Sequence, residues 1–229
     1  MRKSEVLQCI KDCGIVPAIR VESEVQALRA VQALGEGGIC VAEVAMSMPQ
    51  SERVLEQVIL RFGDGMLIGA GTVLDAETAS RCILAGAQFI VSPSLNPLTI
   101  QLCRRQSIAV FAGAFTPTEV LAAWTEGADC VKVFPVSAAG GASYIKALRG
   151  PFPEVELLPM GGVSLESCDS YLSAGCFALG VGSDLVNSPA CEAGSESLIA
   201  SRAAKFRSRV ENARAGRQEP NLFRSKVMG

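Results

Sequence analysis

Three charged side chains sit in runs that are otherwise apolar. Lys132 lies in Cys130-Val131-Lys132-Val133-Phe134-Pro135, Glu43 in Val41-Ala42-Glu43-Val44-Ala45, and Arg20 near the end of Ile15-Val16-Pro17-Ala18-Ile19-Arg20-Val21. A strand covered on both faces is nearly all apolar, so a charge inside one needs a reason. Desolvation disfavours the ammonium form of a lysine, leaving some free amine near neutrality. Such an amine can attack a ketone and form an imine. Lys132 taken alone reads equally as a strand-end cation reaching water or a carboxylate. Glu43 reads as a carboxylate able to move protons to and from carbon through water, or as a structural ion-pair partner. Arg20 can grip a carboxylate or phosphate with two hydrogen bonds, or pair with Glu43.

Glycine-rich turns follow several of these runs: Gly69-Ala70-Gly71-Thr72-Val73, Met160-Gly161-Gly162-Val163-Ser164 and Gly180-Val181-Gly182-Ser183-Asp184. Backbone N–H groups in such turns, next to a helix start, accept an anion, and glycine lets it approach closely. The alternative is that they are simply tight turns. Histidine is absent, which removes Ser-His-Asp triads, Cys-His dyads and imidazole-based metal sites. Proton transfer then falls to carboxylates, Lys, Tyr, Cys or water. The nine cysteines contain no Cys-x-x-Cys pair and no zinc spacing, so they read as reduced thiols and no metal is expected.

The elements that would carry these residues alternate between short β-rich runs and amphipathic stretches. Strands are expected at 15–21, 39–45, 66–69, 88–91, 108–111, 130–134, 155–159 and 177–181, with helices between them and a long polar helix after the last. Asp75, Asn96 and Ser164 suit helix starts, as do Pro49, Pro97 and Pro117 in the first turn; Gly86, Gly127 and Gly175 suit helix ends. Eight such units in series predict an α/β chain folded as a (β/α)₈ TIM barrel with an extra N-terminal helix at 4–12. The turn after the first strand, Val21-Glu22-Ser23-Glu24, lacks the glycine fingerprint of an open dinucleotide-binding sheet. In a closed barrel, groups at several strand ends converge on one mouth, and the turns after strands seven and eight form a phosphate cradle. Residues 1–204 are expected to form a single domain. Residues 205–229, with Arg207, Arg209, Arg214, Arg217, Arg224 and Lys226, read as a basic extension in which Gly216 and Pro220 break any helix.

With 229 residues the chain is close to the ~250 typical of such barrels. A net charge of −2 and 5% aromatic residues argue against a nucleic-acid partner or a base-stacking platform. Met1-Arg2-Lys3-Ser4-Glu5 does not begin a signal peptide and no long uncharged apolar run is present, so the expected setting is cytoplasmic and free of the membrane.

Beyond these separate signals, the chain resembles the 2-keto-3-deoxy-6-phosphogluconate / 4-hydroxy-2-oxoglutarate aldolases. The resemblance is carried by GIVPAIR (14–20), AEVAMSMP (42–49), IGAGTVLD (68–75), AGAQFIVSPSLNP (85–97), GAFTPTEVLAA (113–123), VKVFPVSAAGG (131–141), ALRGPFP (147–153), PMGGV (159–163) and GVGSDLV (180–186). It implies a metal-independent, class I aldolase that is a trimer of barrels and cleaves a phosphorylated 2-keto acid to pyruvate and glyceraldehyde 3-phosphate. It also implies Lys132 as the imine-forming lysine and Glu43 as the general acid/base. Thr72, Pro93 and Phe134 correspond to the pyruvate pocket, and Gly161, Gly162, Gly182 and Ser183 to the phosphate site. Two positions depart from gluconate-type members: Ser47 replaces an arginine, and Met160 replaces a threonine that reads a substrate hydroxyl. Galactonate-type relatives share an apolar residue at the latter position and an arginine at that of Arg20, so either sugar acid remains open. An aldolase for 4-hydroxy-2-oxoglutarate, an oxaloacetate decarboxylase, an isomerase barrel and a non-catalytic sugar-phosphate-binding barrel are the competing readings.

Overall fold

A computed structural model describes residues 1–186 and 196–218. Helix α1 (Lys3–Cys13) leads into eight strand–helix units. These are β1 (Ile15–Ile19) and α2 (Glu24–Glu36), β2 (Val41–Ala45) and α3 (Ser51–Phe62), β3 (Leu67–Gly71) and α4 (Ala76–Leu84), and β4 (Phe89–Val91) and α5 (Pro97–Arg105). The second half comprises β5 (Ala109–Ala114) and α6 (Pro117–Glu126), β6 (Cys130–Val133) and α7 (Ala142–Arg149), β7 (Leu157–Pro159) and α8 (Cys168–Ser173), and β8 (Leu179–Val181) and α9 (Glu196–Gln218).

All strand pairs are parallel, in the order β7-β6-β5-β4-β3-β2-β1-β8. The ring closes where Met160 bridges Gly180 and where the Phe177 N–H donates to the Leu157 carbonyl at 2.8 Å. This is the expected TIM barrel. Nearly every strand residue is buried, as sheets covered on both faces require. The lower interior holds an aromatic stack, with Phe89 5.9 Å from Phe111 and Phe177 edge-on to Phe111 at 6.0 Å. Helix α1 lies against β1, β2 and β5 and buries Val6, Ile10 and Cys13.

Local chemistry sets the helix ends. Side chains of Asp75, Asn96 and Thr116 accept the N–H groups of Thr78, Thr99 and Glu119, and Glu119 reaches back to Thr116. Gly127 ends α6 at φ 94°, a conformation that a Cβ would strain.

Three expectations about the helices need correction. Pro49 precedes α3 and lies outside it, because Gln50, in the left-handed region, is the residue before its first turn. Ser164 does not start α8: its N–H donates to Ser167 Oγ at 3.0 Å, and the Leu165 N–H is taken by the Asp184 carboxylate at 3.0 Å, so the helix is held off until Cys168. Finally, α9 runs through Lys205 and Gly216 to Gln218. It does so because Ile199, Ala203, Phe206 and Val210 make one buried stripe, with Ala203 packed closely on Gly37. The basic residues have a structural use as well. Arg207 and Arg214 donate to the carbonyls of Lys11, Asp12 and Cys13, the unsatisfied C-terminal acceptors of α1. Arg209 pairs with Asp169 at the start of α8. Pro220, Arg224 and Lys226 lie outside the described residues.

If α9 is integral to the barrel, Phe206→Ala should lower the unfolding free energy by about 3–5 kcal/mol in urea titrations. The exposed Leu198→Ala should stay within about 0.5 kcal/mol of the parent. Equal effects would mean that α9 does not dock as described.

Candidate active site

Glu43 and Lys132 project into the barrel from β2 and β6 and are only 1% and 3% exposed. Each is seated by a glycine. A Cβ on Gly71, at the end of β3, would fall 1.7 Å from Glu43 Oε1, so only glycine leaves space for that carboxyl. Gly113, the β5 register partner of Lys132, lies against the backbone of Pro93 and Ser94, and a Cβ there would meet Pro93 at 2.1 Å. Pro93 thereby shapes the wall beside Lys132. Above it, Lys132 Nζ lies 5.2 Å from the centroid of the Phe134 ring, a cation–π distance.

The electrostatics favour the neutral forms. Burial pushes the Glu43 carboxyl above its usual range, and the Lys132 and Arg20 cations oppose that shift. Burial pulls the Lys132 amine below its usual range, with Arg20 adding to the fall and Glu43 resisting it. Glu43 Oε2 is buried and has no hydrogen-bond partner among the described residues. A buried acceptor left open costs stability, which marks this carboxyl as aimed at something other than the fold.

Arg20 donates to Thr72 Oγ1 at 3.2 Å. Thr72 has φ 56°, unusual for a β-branched residue, and such strain clusters at functional sites. A cavity of about 670 Å³ opens beside this pair at the C-terminal ends of the strands. Arg20, Phe134 and Met160 line it, together with Gly161, Gly162, Gly182 and Ser183 from the turns after β7 and β8.

Of the residues singled out in the sequence, Arg20, Phe134, Met160, Gly161, Gly162, Gly182 and Ser183 line this cavity; Thr72 meets it through Arg20 and Lys132 through the Phe134 ring, whereas Glu43 lies buried in β2 and Pro93 packs its backbone on Gly113. Sequence reasoning missed two contributors. Asp184 lines the cavity and joins the Leu165 N–H to Arg202, which it meets at 2.6 Å, so one carboxylate ties both glycine turns to α9. Gly71 was visible as part of a turn, but its steric role toward Glu43 was not. No group of acidic or cysteine side chains suited to a metal occurs among the described residues.

A parallel barrel with a buried amine, a buried carboxyl and a glycine-lined cavity at the strand ends defines a class of enzyme-like barrels suited to covalent chemistry on a carbonyl. The comparisons with known proteins resolve that class further. The profile of the KDPG and KHG aldolase family matches residues 6–201, and the chain belongs to that family. It is a class I aldolase, a carbon–carbon lyase. It is 36% identical over 161 residues to the 2-dehydro-3-deoxy-6-phosphogalactonate aldolase of Escherichia coli, covering 70% of this chain and 78% of that relative. It is 32% identical over 171 residues to the 2-dehydro-3-deoxy-phosphogluconate aldolase of Haemophilus influenzae, covering 74% and 79%. In structure it is similar to the KDPG aldolase of Legionella pneumophila, solved with pyruvate captured as a covalent carbinolamine. That match has a TM-score of 0.82 and 30% identity, covering 90% of this chain and 98% of that one.

Two outcomes follow from the geometry. Glu43→Gln removes a charge that holds the proton on Lys132, so the amine should titrate at lower pH, whereas Arg20→Gln should move it to higher pH. Titration of labelled lysine by NMR reads both, and shifts of the opposite sign would refute the assigned field. Gly71→Ala should destabilise by about 1–3 kcal/mol through overpacking, with the loss largely recovered in Gly71→Ala/Glu43→Ala. No recovery would place the clash elsewhere.

Proposed function

We propose that this aldolase cleaves a 2-keto-3-deoxy-6-phospho sugar acid to pyruvate and glyceraldehyde 3-phosphate, with Lys132 as the imine-forming nucleophile and Glu43 as the acid/base. The observation that carries this reading is the buried Lys132 amine, depressed in pKa, beside the unpartnered Glu43 carboxyl. The covalent pyruvate adduct of the Legionella relative supports it.

The Lys132 amine attacks the C2 carbonyl, and Glu43, protonated at the outset, gives its proton to the departing hydroxyl, so that water leaves the carbinolamine and a protonated imine and an ionised Glu43 remain. That cation draws electrons from the C3–C4 bond as Glu43, in its ionised form, removes the proton of the C4 hydroxyl. Bond breaking releases glyceraldehyde 3-phosphate and leaves an enamine on Lys132. Glu43 returns the proton to C3, and water hydrolyses the resulting protonated imine to pyruvate and free amine, the released proton going back to Glu43. Atoms and charge balance without any redox partner. Arg20 and Thr72 supply donors for the C1 carboxylate. Pro93 and Phe134 enclose the three carbons that become pyruvate. The N–H groups of Gly161, Gly162 and Gly182, with Ser183, receive the phosphate.

The galactonate-type acid is the better-supported substrate. Met160, 5% exposed on the cavity wall, offers apolar surface where a hydroxyl-reading residue would stand. Identity to the E. coli phosphogalactonate enzyme points the same way.

The test is borohydride trapping with pyruvate, followed by peptide mass mapping and turnover of the gluconate-type, galactonate-type and 4-hydroxy-2-oxoglutarate substrates. The expected result is an adduct on Lys132 alone, none in Lys132→Ala, turnover in Glu43→Gln reduced about 10²–10⁴-fold, and preference for the galactonate-type acid. An adduct elsewhere, or full activity in Lys132→Ala, overturns the mechanism. Preference for the unphosphorylated substrate overturns the phosphate assignment.

A further inference from the structure

A second cavity, of about 470 Å³, lies at the end of the barrel away from the active site, among the residues that precede the strands. Cys9 and Cys13 enter it from adjacent turns of α1, Cys40 from the residue before β2, and Arg207 from α9. Cys9 and Cys40 are partly exposed, whereas Cys13 is buried. Cys9, Cys13 and Cys40 thus share one cavity, close enough for each to act on the acidity of its neighbours. No disulfide joins them, and the catalytic reaction makes no use of them.

We propose that these three thiols form an oxidant-reactive modification site in which Cys40 attacks a hydroperoxide and Cys9 resolves the product as a Cys9–Cys40 disulfide. The assignment rests on the cavity that gathers the three thiols with Arg207 and on the exposure of the two reacting residues, and it is independent of the substrate reading above. The Cys40 thiolate displaces an alcohol, or water, from the peroxide and becomes a sulfenic acid. The Cys9 thiol then attacks that sulfur, and the hydroxyl leaves as water. The balance is two thiols and one hydroperoxide giving one disulfide, one water and one alcohol, or two waters when the oxidant is hydrogen peroxide.

The surroundings suit these roles. The neighbouring Cys13 thiol holds Cys40 below the ordinary thiol range; burial and Cys9 oppose that fall, and the Arg207 guanidinium adds to it. Cys13 itself is driven far up by Cys40 and by burial, so it stays protonated. Burial raises Cys9; Cys40 opposes that rise, and Cys13 and Asp12 add to it. Cys9 therefore makes the slower attacker on peroxide and an adequate one on a neighbouring sulfenic acid. Elsewhere burial keeps thiols protonated: Cys82 is raised to about 11 and Cys103 to about 12.

The test uses the whole protein, treated with limiting hydrogen peroxide and mapped by non-reducing peptide mass spectrometry, with dimedone added in parallel to capture sulfenic acid. The expected product is a Cys9–Cys40 crosslink. Cys9→Ser should accumulate dimedone on Cys40, and Cys40→Ser should lose at least about tenfold in the rate of oxidation. Turnover of the aldolase substrate should be unchanged in both unoxidised variants, which separates this site from the catalytic one. A crosslink of Cys40 to Cys13, oxidation confined to Cys176 or Cys191, or similar rates in the parent and Cys40→Ser would overturn the proposal.

Discussion

The desolvation of one amine and one carboxyl inside an apolar barrel governs the design of this molecule. Neither Lys132 nor Glu43 is neutralised by a close ion pair, and each is driven toward its uncharged form. An apolar interior tolerates this only because each group retains partial compensation: the Phe134 ring face for Lys132, and the positive potential of Arg20 and Lys132 for Glu43. The surrounding glycines follow from that constraint. Gly71 and Gly113 give up side-chain packing so that the carboxyl and the Pro93 backbone can occupy the space. Stability lost at these positions is offset by the fully packed lower barrel, where Phe89, Phe111 and Phe177 stack.

The opposite requirement holds at the outer rim. There the proposed phosphate would meet the turns after β7 and β8, which offer glycine backbone rather than lysines. The fixed dipoles of peptide N–H groups need little rearrangement when charge arrives. What keeps them aimed is the Asp184 carboxylate, which binds one turn through Leu165 and the last helix through Arg202. The buried pair and the rim are thus separate devices on one scaffold, one tuned by loss of water and the other by orientation of backbone.

Much of this was legible in the residues. The eight strands declared themselves as apolar runs bounded by Gly, Pro and capping residues. Lys132 and Glu43 stood out because charge in such a run conflicts with burial, and the strand order gave them a common mouth. What escaped were features fixed by contacts between distant segments. The delayed start of α8 depends on Asp184, which lies 19 residues away from Leu165. The continuation of α9 through Gly216 depends on tertiary packing that overrides local helix propensity. The arginines of the last helix read as a solvated basic stretch because sequence shows charge but not the carbonyls that receive it.

Those arginines bear on how the chain is made. Helix α1 leaves the ribosome well before α9, for Arg207 is separated from its acceptor at Cys13 by 194 residues. At about 5–20 residues per second, the first helix waits roughly 10–40 s for the groups that complete its end. Until α9 emerges, the last carbonyls of α1 are left to water, so the end of the first helix is completed only when the last one docks.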